Sequence, residues 1–346
     1  MNGTDDVSGV SGAVGEVAIG VDIGGTKVEV ALVDGAGAVL GALRFATEPE
    51  RGVAAVVADI AAAARDAFGA ALGGALGVGA SVAGQVDAGG VVVGAPNLGW
   101  THAPLGARLA AALALPVRVV NDVRAATLAE WRFGAGRGHD DVVVLFLGTG
   151  IGGGVVTGGR IVEGAGGFAG ELGHATVVAG GRPCHCRNRG CIEAYAGGWA
   201  IAERAREAVR ADPAAGALLR GLVGGDVGAI VAETVAAARE RGDGLAVRLV
   251  EETAEYLGAA LVGIVNGLDP ARVILGGGVV EGFPELVPLA AAVVHARALP
   301  AMAAGVAVVP ASLGTRAPVI GAAACAPRGG PPPNHTIADP PPRPIT

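Results

Sequence analysis

Short apolar runs alternate with longer segments of helical periodicity along most of the chain. The runs are rich in valine, which favours strands, and they predict strands at residues 17–21, 27–33, 78–82, 91–93, 117–120, 142–147 and 272–275. The alanine-rich periodic segments predict helices at residues 47–68, 105–113, 124–133 and 251–268. Strands and helices that alternate in this way are typical of an α/β protein, here with more than one sheet.

One strand–turn–strand unit occurs twice in the sequence. Residues 17–26 read as an apolar strand, a glycine-rich turn and the start of another strand, and residues 143–152 repeat that plan. A third glycine turn, which contains Gly277 and Gly278, follows the strand predicted at 272–275. Repeated units of this kind that face each other predict a two-domain clamp around a chain of phosphates.

The first glycine turn combines several groups that suit phosphate binding. Gly24 and Gly25 let backbone N–H groups approach phosphate oxygens, Thr26 offers a hydroxyl, and Asp22 could orient a Mg2+ ion. Lys27 is the only lysine of the chain, which favours a specific role for its charge. The alternative is an ordinary glycine hairpin, because glycine-rich turns are common in a chain with 61 glycines. The turn is not a Walker loop, since the Walker spacing is absent.

The second glycine turn, residues 147–154, is a weak signal alone. As a partner of the first turn it predicts a second phosphate cradle, in which Thr149 and Gly150 contact the phosphates.

The pair Asn121-Asp122 follows a predicted strand, at the carboxyl end where open α/β sheets bind ligands. An aspartate at this place could accept a proton from a substrate hydroxyl. The alternative is that Asp122 only caps the helix that follows.

Three cysteines and a histidine have the spacing of a metal site. Cys184, Cys186 and Cys191 lie in a loop rich in glycine and arginine, and His174 precedes them by ten positions. Three thiolates and one imidazole make a closed tetrahedral zinc set, whereas reduced core cysteines are the alternative. Cys325 is expected to be an ordinary buried thiol.

Glu171 and Glu193 flank this cysteine loop. Most glutamates are simply solvated, but a metal loop would hold these two in place. The sequence therefore predicts that they belong to a polar ligand site.

Composition limits the possible classes of protein. The length of 346 residues suggests two domains, and a net charge of −7 gives no footprint for a nucleic-acid surface. The mean hydropathy is +0.54, yet the longest uncharged window, residues 67–86, is interrupted by glycines. We therefore expect no contact with a membrane and, because the acidic N-terminus does not resemble a signal peptide, a cytoplasmic location.

Both ends of the chain differ in composition from the rest. The composition of residues 1–15 predicts a flexible tail, and that of residues 326–346 predicts a disordered proline-rich tail. Between them we expect a small α/β domain over residues 16–119 and a large α/β domain over residues 120–325, with a C-terminal helix near 314–325 that returns to the small domain.

The motifs together resemble the ROK (repressor, open reading frame, kinase) family of sugar kinases, and among its members the bacterial glucokinases. The motifs that carry the resemblance are Asp22-Ile-Gly-Gly-Thr-Lys27, Ala95-Pro-Asn-Leu98, Asn121-Asp122, Leu147-Gly-Thr-Gly-Ile-Gly-Gly-Gly154, Gly170-Glu-Leu-Gly-His174 and Cys184-His-Cys-Arg-Asn-Arg-Gly-Cys-Ile-Glu193. The resemblance runs from about residue 17 to residue 324. It implies an actin-like ATPase (ribonuclease H-like) fold, in which ATP–Mg2+ lies in a cleft between two α/β domains beside a zinc-binding loop.

The resemblance also implies a reaction and a set of site residues. Asp122 would be the catalytic base of a kinase that phosphorylates the 6-hydroxyl of glucose, and the sugar hydroxyls would be bound by Asn97, Asn121, Glu171, His174 and Glu193. His174 would bind zinc through one ring nitrogen and sugar through the other. The family implies a homodimer or a dimer of dimers.

Other functions within the family stay open. The same motifs fit an N-acetylhexosamine kinase or a fructokinase, and they leave polyphosphate open as the donor. A sugar sensor without activity is less favoured, because it would lack the base or a phosphate loop, and all of these are present. Because the first turn begins at Asp22, we expect no DNA-binding domain of the repressor type. Arg124 and Arg187 depart from the family pattern, which often has Asn and Gly at these positions.

Overall fold

The computed structural model describes residues 16–327 and has a mixed α/β architecture. The strands are β1 Val17–Ile23, β2 Lys27–Asp34, β3 Val39–Ala46, β4 Val78–Val82, β5 Gln85–Val86, β6 Val92–Ala95, β7 Trp100–Ala103, β8 Val117–Asn121, β9 Val142–Leu147, β10 Ile151–Thr157, β11 Arg160–Ile161, β12 Arg272–Gly276 and β13 Ala307–Pro310. The helices are α1 Val53–Gly73, α2 Leu105–Leu113, α3 Asp122–Arg132, α4 Glu193–Ala196, α5 Gly198–Ala211, α6 Ala217–Leu222, α7 Ala232–Glu240, α8 Gly244–Leu268, α9 Gly278–Gly282, α10 Leu286–Arg297, α11 Pro300–Gly305 and α12 Ala317–Cys325. The predicted flexible segment 1–15 and the tail beyond residue 327 lie outside the described residues.

Two five-stranded sheets share one plan. The first has the order β3-β2-β1-β4-β8 and the second the order β11-β10-β9-β12-β13. In each sheet three antiparallel strands continue into two parallel ones. The hairpins β1–β2 and β9–β10 enclose the first and second glycine turns, so the internal repeat seen in the sequence is confirmed as a structural repeat.

Each sheet has its own apolar core. Helices α1 and α2 cover one face of the first sheet, where Ile60 and Leu105 are fully buried. Helices α5, α8 and α10 cover the second sheet, where Leu145 and Leu257 are fully buried. Most residues of both cores are small, so each core is built from many Val, Ala, Ile and Leu side chains rather than from a few aromatic ones.

Helix α12 packs against the other face of the first sheet, together with α3. Glycine allows this close approach, because a Cβ atom at Gly79 would lie 1.6 Å from the carbonyl oxygen of Ala322, and one at Gly20 would lie 2.2 Å from that of Val319. The predicted boundary between residues 119 and 120 falls inside β8, which belongs to the first sheet. The division into two domains stays a proposal.

Several predicted elements need correction. The helix predicted from residue 47 begins at Val53, because Pro49 and Gly52 interrupt the segment before it. Strand β3 was not predicted, since its side chains are only partly buried and show no apolar run. Helix α8 begins seven residues before the predicted start at 251, where Asp243 caps it. Among the described residues, none of the helices has the length and apolar character that a membrane span needs.

Candidate functional site

The first glycine turn joins β1 to β2 and is held by its own backbone. The N–H of Gly24 donates to the carbonyl of Lys27 at 3.0 Å, and the hydroxyl of Thr47 donates to the carbonyl of Gly24 at 2.7 Å. Gly25 lies so close to Asn97 that a Cβ atom there would be 3.1 Å from the Cβ of Asn97. The structure therefore brings Asn97 beside the first turn, while Thr26 and Lys27 are exposed.

Asp22 lies at the end of β1 in a setting that the sequence did not reveal. Its Oδ1 accepts a hydrogen bond of 2.7 Å from the hydroxyl of Ser81, which is fully buried beside it on β4. Burial raises the pKa of Asp22, and the Ser81 bond opposes that rise. Ser81 is the polar exception in an otherwise apolar strand, which is the one signal that could have identified it.

Asp122 is not the cap of helix α3. That role belongs to Asn121, whose Oδ1 accepts from the N–H of Arg124 at 3.1 Å. The side-chain amide of Asn121 donates to Oδ1 of Asp122 at 2.8 Å, and the N–H of Val123 donates to the same oxygen at 2.9 Å. Oδ2 of Asp122 has no hydrogen-bond partner within residues 16–327, so it is available to a substrate.

Burial and charge both act on the Asp122 carboxyl. Desolvation, followed by the nearby charge of Asp22, raises the pKa of Asp122 to about 6. A carboxyl with a pKa close to neutrality is a better proton acceptor than an ordinary aspartate, and it is still mostly ionised at pH 7. Asp22 and Asp122 therefore lie at the same edge of the first sheet, with β4 between their strands, and are close enough for the charge of one to act on the other.

The four predicted metal ligands meet at one point. Their ligand atoms all lie within 4.8 Å of one another in His174, Cys184, Cys186 and Cys191. Nδ1 of His174 is 3.7 Å from Sγ of Cys184, and Sγ of Cys186 is 3.6 Å from Sγ of Cys191. Three sulfur donors and one nitrogen donor are compatible with a structural zinc ion.

The buried thiols favour a cation at this point. Desolvation raises the pKa of Cys184 to about 12 and also raises that of Cys191, so the two sulfurs need a strong positive charge to become thiolates. Arg187 adopts φ 75° in this loop, and it occupies the left-handed turn that glycine would favour, at a cost of roughly 1–2 kcal/mol.

His174 has two distinct faces. Nδ1 points to the cysteines, whereas Nε2 lies 4.0 Å from Oε2 of Glu171, which is exposed. Glu171 and Asn121 line the same crevice of about 50 Å3, together with Arg124. The structure therefore brings the predicted sugar ligands Asn121 and Glu171 together, with His174 next to Glu171.

Glu193 is buried between the cysteine loop and the second glycine turn. Its Oε2 accepts from the N–H of Ile151 at 2.9 Å, and its Oε1 accepts from the indole of Trp199 at 3.4 Å. A Cβ atom at Gly150 would be 2.5 Å from Oε2 of Glu193. Both carboxylate oxygens of Glu193 therefore have partners in the protein, and one of these partners follows the second glycine turn. The sugar contact of Glu193 stays a prediction.

A cavity of about 790 Å3 lies beside the second and third glycine turns. Thr149 and Gly278 are among its walls, and Gly277, with φ 92°, brings the third turn against the carbonyl of Leu147. The ring of His185 stacks on Trp199 at another wall, with centroids 4.1 Å apart and planes at 25°. The sequence did not single out these two residues, because only the fold brings the cysteine loop against α5.

Comparison with known proteins agrees with this geometry. The family model described as "ROK family" matches residues 18–328. The glucokinase of Halalkalibacterium halodurans is 35% identical over 315 residues, which are 88% of this chain and 92% of that protein. The glucokinase of Streptomyces coelicolor is 38% identical over 264 residues, or 75% of this chain and 81% of that protein.

A solved structure shows the same fold. The crystal structure of a ROK family glucokinase from Streptomyces griseus in complex with glucose and AMPPNP has a TM-score of 0.73 and 37% identity, and the match covers 90% of this chain and all (100%) of that one. This likeness confirms the predicted actin-like ATPase fold. The motifs, the fold and the relatives lead to one conclusion, which is that the chain belongs to the ROK family.

Proposed function

We propose that this protein is an ATP-dependent kinase that phosphorylates the 6-hydroxyl of glucose. Its relatives from Halalkalibacterium and Streptomyces are named glucokinases, and one of them was crystallised with glucose and an ATP analogue. The observation that carries the proposal is the Asp122 carboxyl, which is half-buried, has a raised pKa and keeps Oδ2 free of hydrogen bonds within residues 16–327. A group in this state can accept the proton of a hydroxyl that attacks a phosphoryl group.

The nucleotide belongs in the cavity of about 790 Å3 between α5, α7 and α9. Its base and ribose would lie near the His185–Trp199 stack, and its phosphates would extend toward Thr149, Gly150, Gly277 and Gly278. The first turn would close on these phosphates from the other side with Gly24, Gly25, Thr26 and Lys27. Mg2+ bound near Asp22 supplies positive charge that offsets the phosphate oxygens.

The sugar belongs between Asn97, Asn121, Glu171, His174 and Glu193. Asn121 holds Oδ1 of Asp122, so Oδ2 can face the hydroxyl that attacks. As the bond between the sugar oxygen and the γ-phosphorus forms, the bond from that phosphorus to the bridging oxygen breaks and ADP leaves, while Asp122 receives the hydroxyl proton. Orientation of the two substrates supplies most of the acceleration, because phosphoryl transfer asks mainly for alignment and charge neutralisation.

The cysteine cluster would hold a structural zinc ion. With four protein ligands it has no open position for a substrate, so its role is to fix the loop that carries His174 and Glu193. We also propose that the protein is a homodimer or a dimer of dimers, and that it has two domains whose boundary lies after β8 rather than between residues 119 and 120, because β8 belongs to the first sheet. Light scattering measures the oligomeric state.

A panel of sugars tests the substrate. Phosphorylation with ATP and Mg2+ is measured for glucose, mannose, fructose, N-acetylglucosamine and N-acetylmannosamine, and we expect the highest kcat/KM for glucose. A preference for an N-acetylated sugar or for fructose would replace glucose but keep the kinase. If none of the sugars is phosphorylated, with either ATP or polyphosphate as donor, the protein would be a sensor instead of an enzyme.

A further inference from the structure

A second large cavity lies along the outer face of α3, between β8 and β11, and Arg124 separates it from the crevice that holds Asn121 and Glu171. Its volume is about 770 Å3, and its walls include Arg118 near the start of β8, Arg160 of β11, and residues of α3 and α12. Asn121 ends β8 at the candidate active site, and Arg118 lies three residues before it, so the cavity runs from Arg118 to Arg124 beside the candidate sugar crevice. Because β8 belongs to the first sheet and β11 to the second, the cavity spans the junction between them.

The walls of this cavity carry an excess of positive charge. Among residues 16–327, its walls include four arginines and one carboxylate, that of Glu163, in a chain whose net charge is −7; the arginines are Arg118, Arg124, Arg132 and Arg160. Arg118 pairs with Glu163. Arg160 forms no ion pair within residues 16–327. Asp140 contacts Gly159 nearby but does not line the cavity.

The other two arginines satisfy only part of their hydrogen-bonding capacity with neutral groups. Arg132 lies over the ring of Trp131 at 5.5 Å and donates to the carbonyl of Ala324 at 3.4 Å. Arg124 is half-buried and donates to the carbonyls of Gly167 and Ala169 at 2.7 and 3.2 Å. These carbonyl partners carry no net charge, and neither guanidinium group forms an ion pair within residues 16–327.

The positive charges of the arginines in this cavity also act on one another. Burial lowers the pKa of Arg124, and the charge of Arg118 lowers it further, while Glu163 opposes both. Burial raises the pKa of the Cys325 thiol, which lines the same cavity, and the charges of Arg118, Arg132 and Arg124 oppose that rise. A bound anion would relieve this repulsion.

We propose that this cavity, which we name the rear arginine cavity, binds a small molecule that carries one or more phosphoryl groups. Planar guanidinium groups bind phosphate oxygens in pairs, which makes arginine the preferred residue for this chemistry. The volume exceeds that of a single inorganic phosphate, so the ligand is an oligophosphate or a phosphorylated sugar. Trp131 and Phe133 add apolar walls that suit the body of such a molecule.

Binding there would act on the candidate sugar site through one loop. Residues 162–171 run from the rear arginine cavity to Glu171, and the loop is held by the Arg118–Glu163 pair at one end and by Arg124 near the other. An anion that competes with Glu163 for Arg118 releases the first of these attachments. The ligand is therefore expected to raise the KM for sugar more than the KM for ATP.

Calorimetry on the full chain tests the binding. Inorganic tripolyphosphate and glucose 6-phosphate are titrated separately into protein saturated with glucose, AMPPNP and Mg2+, so that the candidate active site is filled. We expect one of the two to bind once per chain. Arg160→Ala and Arg160→Glu should weaken that binding by roughly tenfold or more, because a charge-assisted contact is lost. Arg160 is exposed, and a melting temperature near that of the wild type verifies that both variants fold.

Two controls separate this site from the nucleotide site. Arg137→Ala removes a nearby exposed arginine that does not line the cavity, and Lys27→Ala alters the first glycine turn. Both variants should bind the probe as the wild type does. Binding of tripolyphosphate alone identifies an oligophosphate, and binding of glucose 6-phosphate alone identifies a phosphosugar. The proposal is overturned if neither probe binds, or if binding survives Arg160→Glu and is lost in Lys27→Ala.

Discussion

Asp122→Asn should inactivate the enzyme and stabilise the protein at the same time. The substitution keeps the size of the side chain but removes its capacity to accept a proton. General-base assistance contributes roughly 10²–10⁴ in rate, so we expect kcat to fall by about that factor. The apparent affinity for glucose should change much less, because Asn121 and Glu171 are retained.

The gain in stability follows from the pKa of Asp122. Its value rises from 3.8 to about 6 on folding, and a difference of about two units corresponds to about 3 kcal/mol. A raised acid pKa means that the folded state binds the proton more tightly than the unfolded chain does. Stability from this group is therefore present below pH 4 and lost as the pH rises through about 6. At pH 7 the full penalty applies, and Asp122→Asn removes it.

Two measurements check the prediction. Initial rates with saturating glucose and ATP give kcat, and chemical denaturation at pH 7 and pH 4 gives the free energy of unfolding. We expect the variant to be more stable by up to about 3 kcal/mol at pH 7 and by much less at pH 4. Asp141→Asn is the matched control, because hydrogen bonds from Gly158 and Thr157 lower the pKa of Asp141, and it should bring no gain. A variant with near-full kcat, or with no gain at pH 7, refutes the reasoning.

The remaining predictions address donor, metal and packing. Lys27→Ala should raise the KM for ATP about tenfold or more and leave that for sugar nearly unchanged, whereas Lys27→Arg restores only part of the loss; equal KM values for ATP would remove Lys27 from the phosphate site. Cys186→Ser or a strong chelator should raise the KM for sugar and the KM for ATP. His185→Ala should raise mainly the KM for ATP. Metal analysis should find about one zinc per chain. Gly79→Ala should lower the free energy of unfolding by about 1–3 kcal/mol or more, since its Cβ would strike α12; Gly73→Ala, in open space, is the control, and equal effects would disprove this packing.

Residues with rare chemistry were predictable from the sequence. The glycine turns, the cysteine set and the Asn121-Asp122 pair could be singled out from the sequence, although each had an alternative role and the resemblance to the family decided which role was expected. The ligand atoms of the cysteine set do converge. The repeat of one strand plan was also visible, because the first and second turns lie between apolar strands.

Other features depend on tertiary contacts, which cannot be inferred from the sequence. Ser81 matters because parallel pairing of β1 with β4 sets it beside Asp22, and His185 matters because the cysteine loop meets Trp199. Both Asn121 and Asp122 can cap a helix, so only the hydrogen bond from Arg124 decides between them. Strand β3 carries a mixed pattern because one of its faces is open to solvent.

The metal loop shows a different limit of prediction. From the sequence, zinc was expected to serve the sugar through His174 and Glu193. The structure adds a second connection, because His185 stacks on Trp199 at the wall of the large cavity. Loss of zinc is therefore expected to affect ATP as well as sugar.

The phosphorus NMR spectrum of the product formed from ATP, Mg2+ and glucose tests the central claim most directly. Transfer to the 6-hydroxyl gives a phosphomonoester resonance that is split by the two protons on C6. The account predicts this resonance with the wild type and predicts that it is absent when 6-deoxyglucose replaces glucose. No phosphomonoester from glucose, or a resonance coupled to a single ring proton, would contradict the account.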